Sequence, residues 1–147
     1  MTGLYVWLKF FHVLGFGVFL LSHGVSAGTS LALRGRPLDA VSRTLLQLSI
    51  RSQQIGYPAL FVIIGTGVWM GFVGSWWRTG WIWTAIAVFV VVVVVMSALS
   101  VPYHRARAVK DDAVADSPLT RSRPMALLLT GVVGLIALLF LMVFKPF

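Results

Sequence analysis

The sequence predicts an all-α integral membrane protein, a bundle of four spanning helices with both termini on the outer side. Three observations carry that. Of 147 residues, 59% are hydrophobic and only 11% are charged, against roughly 45–50% and about 25% in ordinary soluble domains. The mean hydropathy is +0.92. Four apolar runs reach the ~20 residues that a span requires.

The chain reads as one four-span domain. The first span is expected at about 4–33, with Lys9 near its start able to snorkel to the interface. It carries Lys9 and His12, lacks a convincing small-residue cleavage site and is too long for a signal-peptide core, so it reads as a retained span rather than a cleaved signal peptide. The second span is expected at 54–73. A capped amphipathic segment precedes it, from Pro37 and Asp39 through Leu45, Leu46, Leu48 and Ile50. The third is expected at 80–101, through the valine run Val90 to Val95, and the fourth at 125–144. Between them lie loops at 34–53 and 102–124. The polar, Pro-flanked stretch Asp111 to Pro124 reads as a flexible loop.

Charge sets the orientation. Arg34, Arg36, Arg43 and Arg51 lie in the first connection; Arg105, Arg107, Lys110, Arg121 and Arg123 lie in the third. The opposite side holds Lys9, Arg78 and Lys145. Nine against three places both long connections in the cytoplasm. A belt of Trp76, Trp77, Trp81 and Trp83 on the other side agrees. The expected location is the inner (plasma) membrane. The net charge of +8 sits at helix ends and not on a soluble patch, so no nucleic-acid partner is expected. The lipid bilayer is the first partner, with a membrane-protein partner or a second copy beside it.

Chemistry-bearing residues are few. There is no cysteine, which removes disulfides, thiolate metal sites and cysteine nucleophiles. No acidic residue lies in any expected span, which disfavours a proton pump or cation transporter. What stands out is histidine within hydrocarbon, where an ionisable group is expensive and marks a candidate site. His12 and His23 are eleven residues apart, so on an ideal helix they lie about 20° out of phase and about 16 Å apart in height. Neutral imidazole ligates haem iron, and haem b held without a covalent link suits a chain without cysteine. The spacing forbids His12 and His23 from sharing one iron. A bis-His site would need His104, at the end of the third span, drawn inward by a kink at Pro102. Met70, Met96 and Lys9 are further candidate ligands. Ser22, Ser26 or Thr29 is expected to partner His23. Gln53, Gln54, Tyr57 and Pro58 open the second span, facing a polar site or capping the helix. Gly24-x-x-x-Gly28 and Gly67-x-x-x-Gly71 read as helix-packing motifs.

Several short motifs carry a resemblance. The opening Trp7-Leu8-Lys9-Phe10-Phe11-His12-Val13-Leu14 resembles that of the HemJ/CopD-like superfamily of small membrane proteins. So do the Thr66-Gly67 step, Tyr103-His104 after the third span, and the closing Lys145-Pro146-Phe147. The resemblance implies a haem-associated bundle with His12 as a ligand. In the HemJ-type members it implies oxidation of protoporphyrinogen IX to protoporphyrin IX. The sequence departs from those enzymes: Trp81 to Ile86 holds no lysine, and Phe16 to His23 replaces a Trp-x-Ala-Gly-Leu block. It is more similar to the uncharacterised four-span members. Three functions follow as expectations: a b-type haem protein for electron transfer or haem handling, a non-catalytic subunit of a respiratory or photosynthetic membrane complex, or a HemJ-type oxidase. The absence of acidic residues from the spans and the scarcity of methionine pairs argue against a fourth, copper handling.

Overall fold

The computed structural model describes residues 2–109 and 118–147. Four helices form: α1 (Thr2–Ala32), α2 (Ala40–Val73), α3 (Gly80–Ala108) and α4 (Pro124–Phe144). All four are long and apolar enough to cross a membrane. Among the described residues there is no strand.

What is buried and what is exposed fits a lipid surround. Leu21 is 75% and Phe61 73% exposed, whereas Ser42 is fully buried and Ser22, Ser49 and Ser52 are nearly so. A helix whose outer surface is apolar and whose contacts are small and polar is built for lipid, because hydrocarbon solvates leucine as well as a protein core does.

At ~1.5 Å per residue α2 is about 51 Å long, well beyond a ~30 Å hydrocarbon layer. The expected loop at 34–53 is therefore helical from Ala40 on, and the amphipathic segment and the second span are one helix. Its start matches the capping expectation. Asp39 is the N-cap, and one of its carboxylate oxygens accepts from the Ser42 amide at 2.7 Å. α1 stops just before Gly35, whose φ of +67° suits glycine.

The Asp39 cap is pH-sensitive. The bonds from Ser42, its backbone amide first, hold the carboxyl below the usual aspartate range. A carboxyl with a depressed folded pKa stabilises above its unfolded pKa, and that contribution is lost as pH falls through the folded value. Amide-exchange protection in the first turn of α2 is expected to fall below about pH 4. Asp39→Ala should show the same fraying at neutral pH. Equal protection in the variant at pH 7 would remove the cap from the account.

The helices pair as two antiparallel hairpins, α1 with α2 and α3 with α4. Gly15 packs on the Ala59 backbone and on Ile63, and Gly134 takes the Val92 side chain against it. The hairpins join most firmly at the end that carries the first and third connections. There Leu33, Leu38, Leu46, Tyr103, Ala106, Leu119 and Leu127 form a buried cluster. Leu119 belongs to a 3₁₀ turn at Pro118–Arg121, so this part of the stretch expected to be a flexible loop is packed. Residues 111–117 of that stretch lie outside the described residues.

Both termini lie at the other end, with the tryptophans. The Tyr5 ring meets Trp76 edge-on at 6.1 Å, and Phe147 packs on Gly80. Lys145, in a left-handed conformation after α4, puts its ammonium 4.1 Å from the centre of a Trp76 ring, a cation–π contact. The Trp81 amide at the start of α3 donates to the Phe147 carbonyl at 3.0 Å. Trp81 is buried, so the tryptophans are partly a packed cluster rather than a simple interfacial belt.

Candidate functional site

His12 leans on α2. Its Nδ1 lies 3.0 Å from Thr66 Oγ1. That hydroxyl has one proton and also lies 2.5 Å from the Val62 carbonyl and 3.2 Å from the Ile63 carbonyl, the usual acceptors for a threonine within a helix. A threonine hydroxyl whose proton is spent can only accept further. Where it donates to a helix carbonyl, the imidazole proton falls on Nδ1 and Nε2 keeps its lone pair. Gly67 makes room: a β-carbon there would come within 3.2 Å of His12 Cε1.

His23 faces elsewhere. Its ring stacks on Phe19, 5.5 Å centre to centre. Its Nε2 comes within 3.5 Å of the position a β-carbon on Gly131 of α4 would take. Met96 of α3 reaches the same spot, with Sδ at 4.0 Å. The expected serine partners are committed to other groups. Ser22 donates to the Ser52 carbonyl, passing Gly56, where a β-carbon would obstruct it. Ser26 pairs with Ser49 and Ser52 hydroxyls at 3.3 and 3.1 Å, and Thr29 donates to the Ser26 carbonyl.

The two histidines thus diverge, although an ideal helix nearly aligns them. The α1 positions that meet α2 are His12, Gly15, Ser22 and Ser26, spaced by 3, 7 and 4 residues. That is a 3.5-residue repeat, the repeat of supercoiled helices. Eleven residues overshoot it, so position 23 falls beside the stripe and meets α4.

His104 is exposed. α3 continues through Pro102 to Ala108, and Tyr103 turns inward instead, its hydroxyl 3.4 Å from the Ser30 carbonyl. The expected inward swing of His104 is not seen, and it meets neither His12 nor His23. Among the described residues no group of three or more His, Asp or Glu converges as a metal cluster would.

The glycine motifs also resolve. Gly67 and Gly71 receive side chains, His12 and Trp77 respectively. At Gly24 and Gly28 a β-carbon would meet nothing within 4 Å, so that pair packs no helix of this chain.

One polar contact joins two residues that the sequence places apart, Gln53 and Arg107. Arg107 of α3 reaches across to α2, with Nη2 3.0 Å from Ser49 Oγ and Nη1 3.4 Å from Gln53 Oε1. The serines at 22, 26, 49 and 52, at helical spacing on two neighbouring segments, were the available signal.

A four-helix arrangement with ionisable groups facing helices rather than lipid now has a sequence counterpart. The profile of DUF2269, a family of predicted integral membrane proteins, matches residues 6–146. The chain belongs to the DUF2269 family. No curated protein and no solved structure matches it. As a DUF2269 member the chain is an integral membrane protein, and its match takes in α1 from before His12 to the end of α4.

Proposed function

We propose that this membrane protein binds haem b without a covalent link, through Nε2 of His12, and serves electron transfer or haem handling. The observation that carries the reading is the Thr66 contact. A ligating histidine characteristically donates its other ring N–H to a fixed acceptor, which sets the tautomer and the ring direction. Thr66 supplies that acceptor, and Gly67 leaves the ring space. The likeness of the opening motif to the HemJ/CopD-like superfamily supports the same position.

The donor set fits one protein ligand. His23 and His104 lie away from His12, so within this histidine set His12 alone would hold the iron. When bound, the iron supplies one-electron chemistry. The chain holds it: His12 ligates, Thr66 keeps the proton on Nδ1, and the apolar helices exclude water. The excess of arginine on the two long connections supports placing them in the cytoplasm, with the His12 end toward the outside.

A pyridine haemochrome assay and oxidised-minus-reduced spectra test this on protein made with ample haem. Near-stoichiometric haem in wild type and in His104→Ala, with loss in His12→Ala, is the expected pattern. Wild-type protein without haem would sink the reading. Retention in His12→Ala with loss in His23→Ala would move the site to the His23–Met96 position.

A second reading, membership of a larger membrane assembly, has its own support in the open Gly24 and Gly28 face. Migration as a larger species on native gels in mild detergent is expected of it. A lone stable monomer counts against it.

A further inference from the structure

Two arginines at this end are half-buried: Arg43, which donates to the Val109 carbonyl at 3.0 Å, and Arg107. Arg34, Arg36, Arg51, Arg105, Arg121 and Arg123 are exposed. Arg107 is half-buried and lies across α2, held by Ser49 and Gln53. Both partners are neutral. Its Nε is buried and has no hydrogen-bond partner. A guanidinium carries five N–H donors and no acceptor, so only part of the fork is satisfied. Among the described residues no carboxylate pairs with it. The one described aspartate, Asp39, is occupied by the Ser42 amide.

The surroundings add donors. Gln53 spends its carbonyl on Arg107, leaving its amide N–H groups. Tyr57, one helical turn further along α2, is near enough to interact with the guanidinium. A positive, donor-rich group with no carboxylate partner among the described residues suits an anion with several acceptor oxygens. Depth selects which. α3 is about 43 Å long, some 13 Å more than the hydrocarbon layer, and Arg107 sits in its last turn. That places the guanidinium at headgroup level, where phosphate is the abundant anion, and basic pockets between spanning helices bind phospholipid headgroups there.

We propose that Arg107, with Gln53, anchors a binding site for a phosphate group, supplied by an anionic phospholipid or by free phosphate. The exposed arginines around it gather anions without fixing them. Arg107 fixes one, because its fork is already oriented by Ser49 and Gln53.

Native mass spectrometry of the full chain in mild detergent tests this, with phosphatidylglycerol and phosphatidylcholine as probes and inorganic phosphate as competitor. Wild type should retain phosphatidylglycerol over phosphatidylcholine. Arg107→Gln should weaken that retention about tenfold, the size expected for losing one charged hydrogen-bonded contact. Gln53→Ala should weaken it in the same direction, and it carries the test if Arg107→Gln fails to fold. Arg105→Gln, two residues away and exposed, should retain the lipid as wild type does. Equal losses in Arg105→Gln and Arg107→Gln would overturn the proposal in favour of a diffuse basic surface. Equal retention of the two lipids, with no phosphate bound, would overturn it outright. Displacement of the lipid by millimolar inorganic phosphate upholds the site with free phosphate as its ligand. Resistance to displacement upholds it with the lipid.

Discussion

Gly134→Ala is expected to loosen α3 from α4 and to lower the thermal unfolding midpoint in detergent. A β-carbon at Gly134 would sit 2.5 Å from Val92 Cγ2 and 3.2 Å from Cγ1. The valine has nowhere to turn, because one rotamer dominates for a β-branched residue in a helix. The helices must separate instead, and overpacking of this kind costs about 1–3 kcal/mol. Alanine's better helix propensity returns at most about 1 kcal/mol, so the clash decides the sign. Val92→Ala in the same chain should restore the midpoint. Gly24→Ala and Gly28→Ala provide the contrast: with nothing near their β-carbons, they should be neutral or slightly stabilising. If Gly134→Ala melts with wild type, the α3–α4 packing described above is wrong.

Thr66→Val is expected to leave the fold intact and to weaken haem binding about 10–100-fold, the usual cost of losing the group that orients a metal-binding histidine. Valine keeps the shape of threonine and removes the acceptor. The His12 ring is then free to rotate and to place its proton on either nitrogen. Thr66→Ser restores the acceptor and should restore binding. Haem titration of the three proteins, read by Soret absorbance, separates this from a packing defect, since a packing defect would not distinguish serine from valine in that order. Haem affinity unchanged in Thr66→Val would show that His12 is not a ligand oriented by Thr66.

Much of the molecule was legible because it depends on local composition. Each span is a run of apolar residues, and a helix satisfies its own backbone in lipid wherever such a run occurs. The start of α2 was equally local, since Asp39 and Ser42 are close in sequence and cap it without help from elsewhere. What was not legible depended on which helix lies beside which. Ser22 read as a partner for His23 because the two are adjacent in sequence. In the fold Ser22 turns to the Ser52 carbonyl, because Gly56 opens the way. Pro102 read as a kink that would turn His104 inward. The inward position went to Tyr103, which had the Ser30 carbonyl to reach.

His12 and His23 show the division most plainly. The order of residues places two imidazoles in one spanning helix, at two heights too far apart for one iron. Rise per residue settles that, and no neighbour alters it. Where each ring points depends on which helices pack beside it. Packing of α1 on α2 follows a 3.5-residue repeat, and a small change of period, accumulated over eleven residues, turns His23 away from the face that His12 keeps. Arg107 is the same lesson at the other end of the bundle. Its charge and position were plain in the chain, but its partners Ser49 and Gln53 lie on a different helix, and only the crossing of α2 and α3 brings them to it.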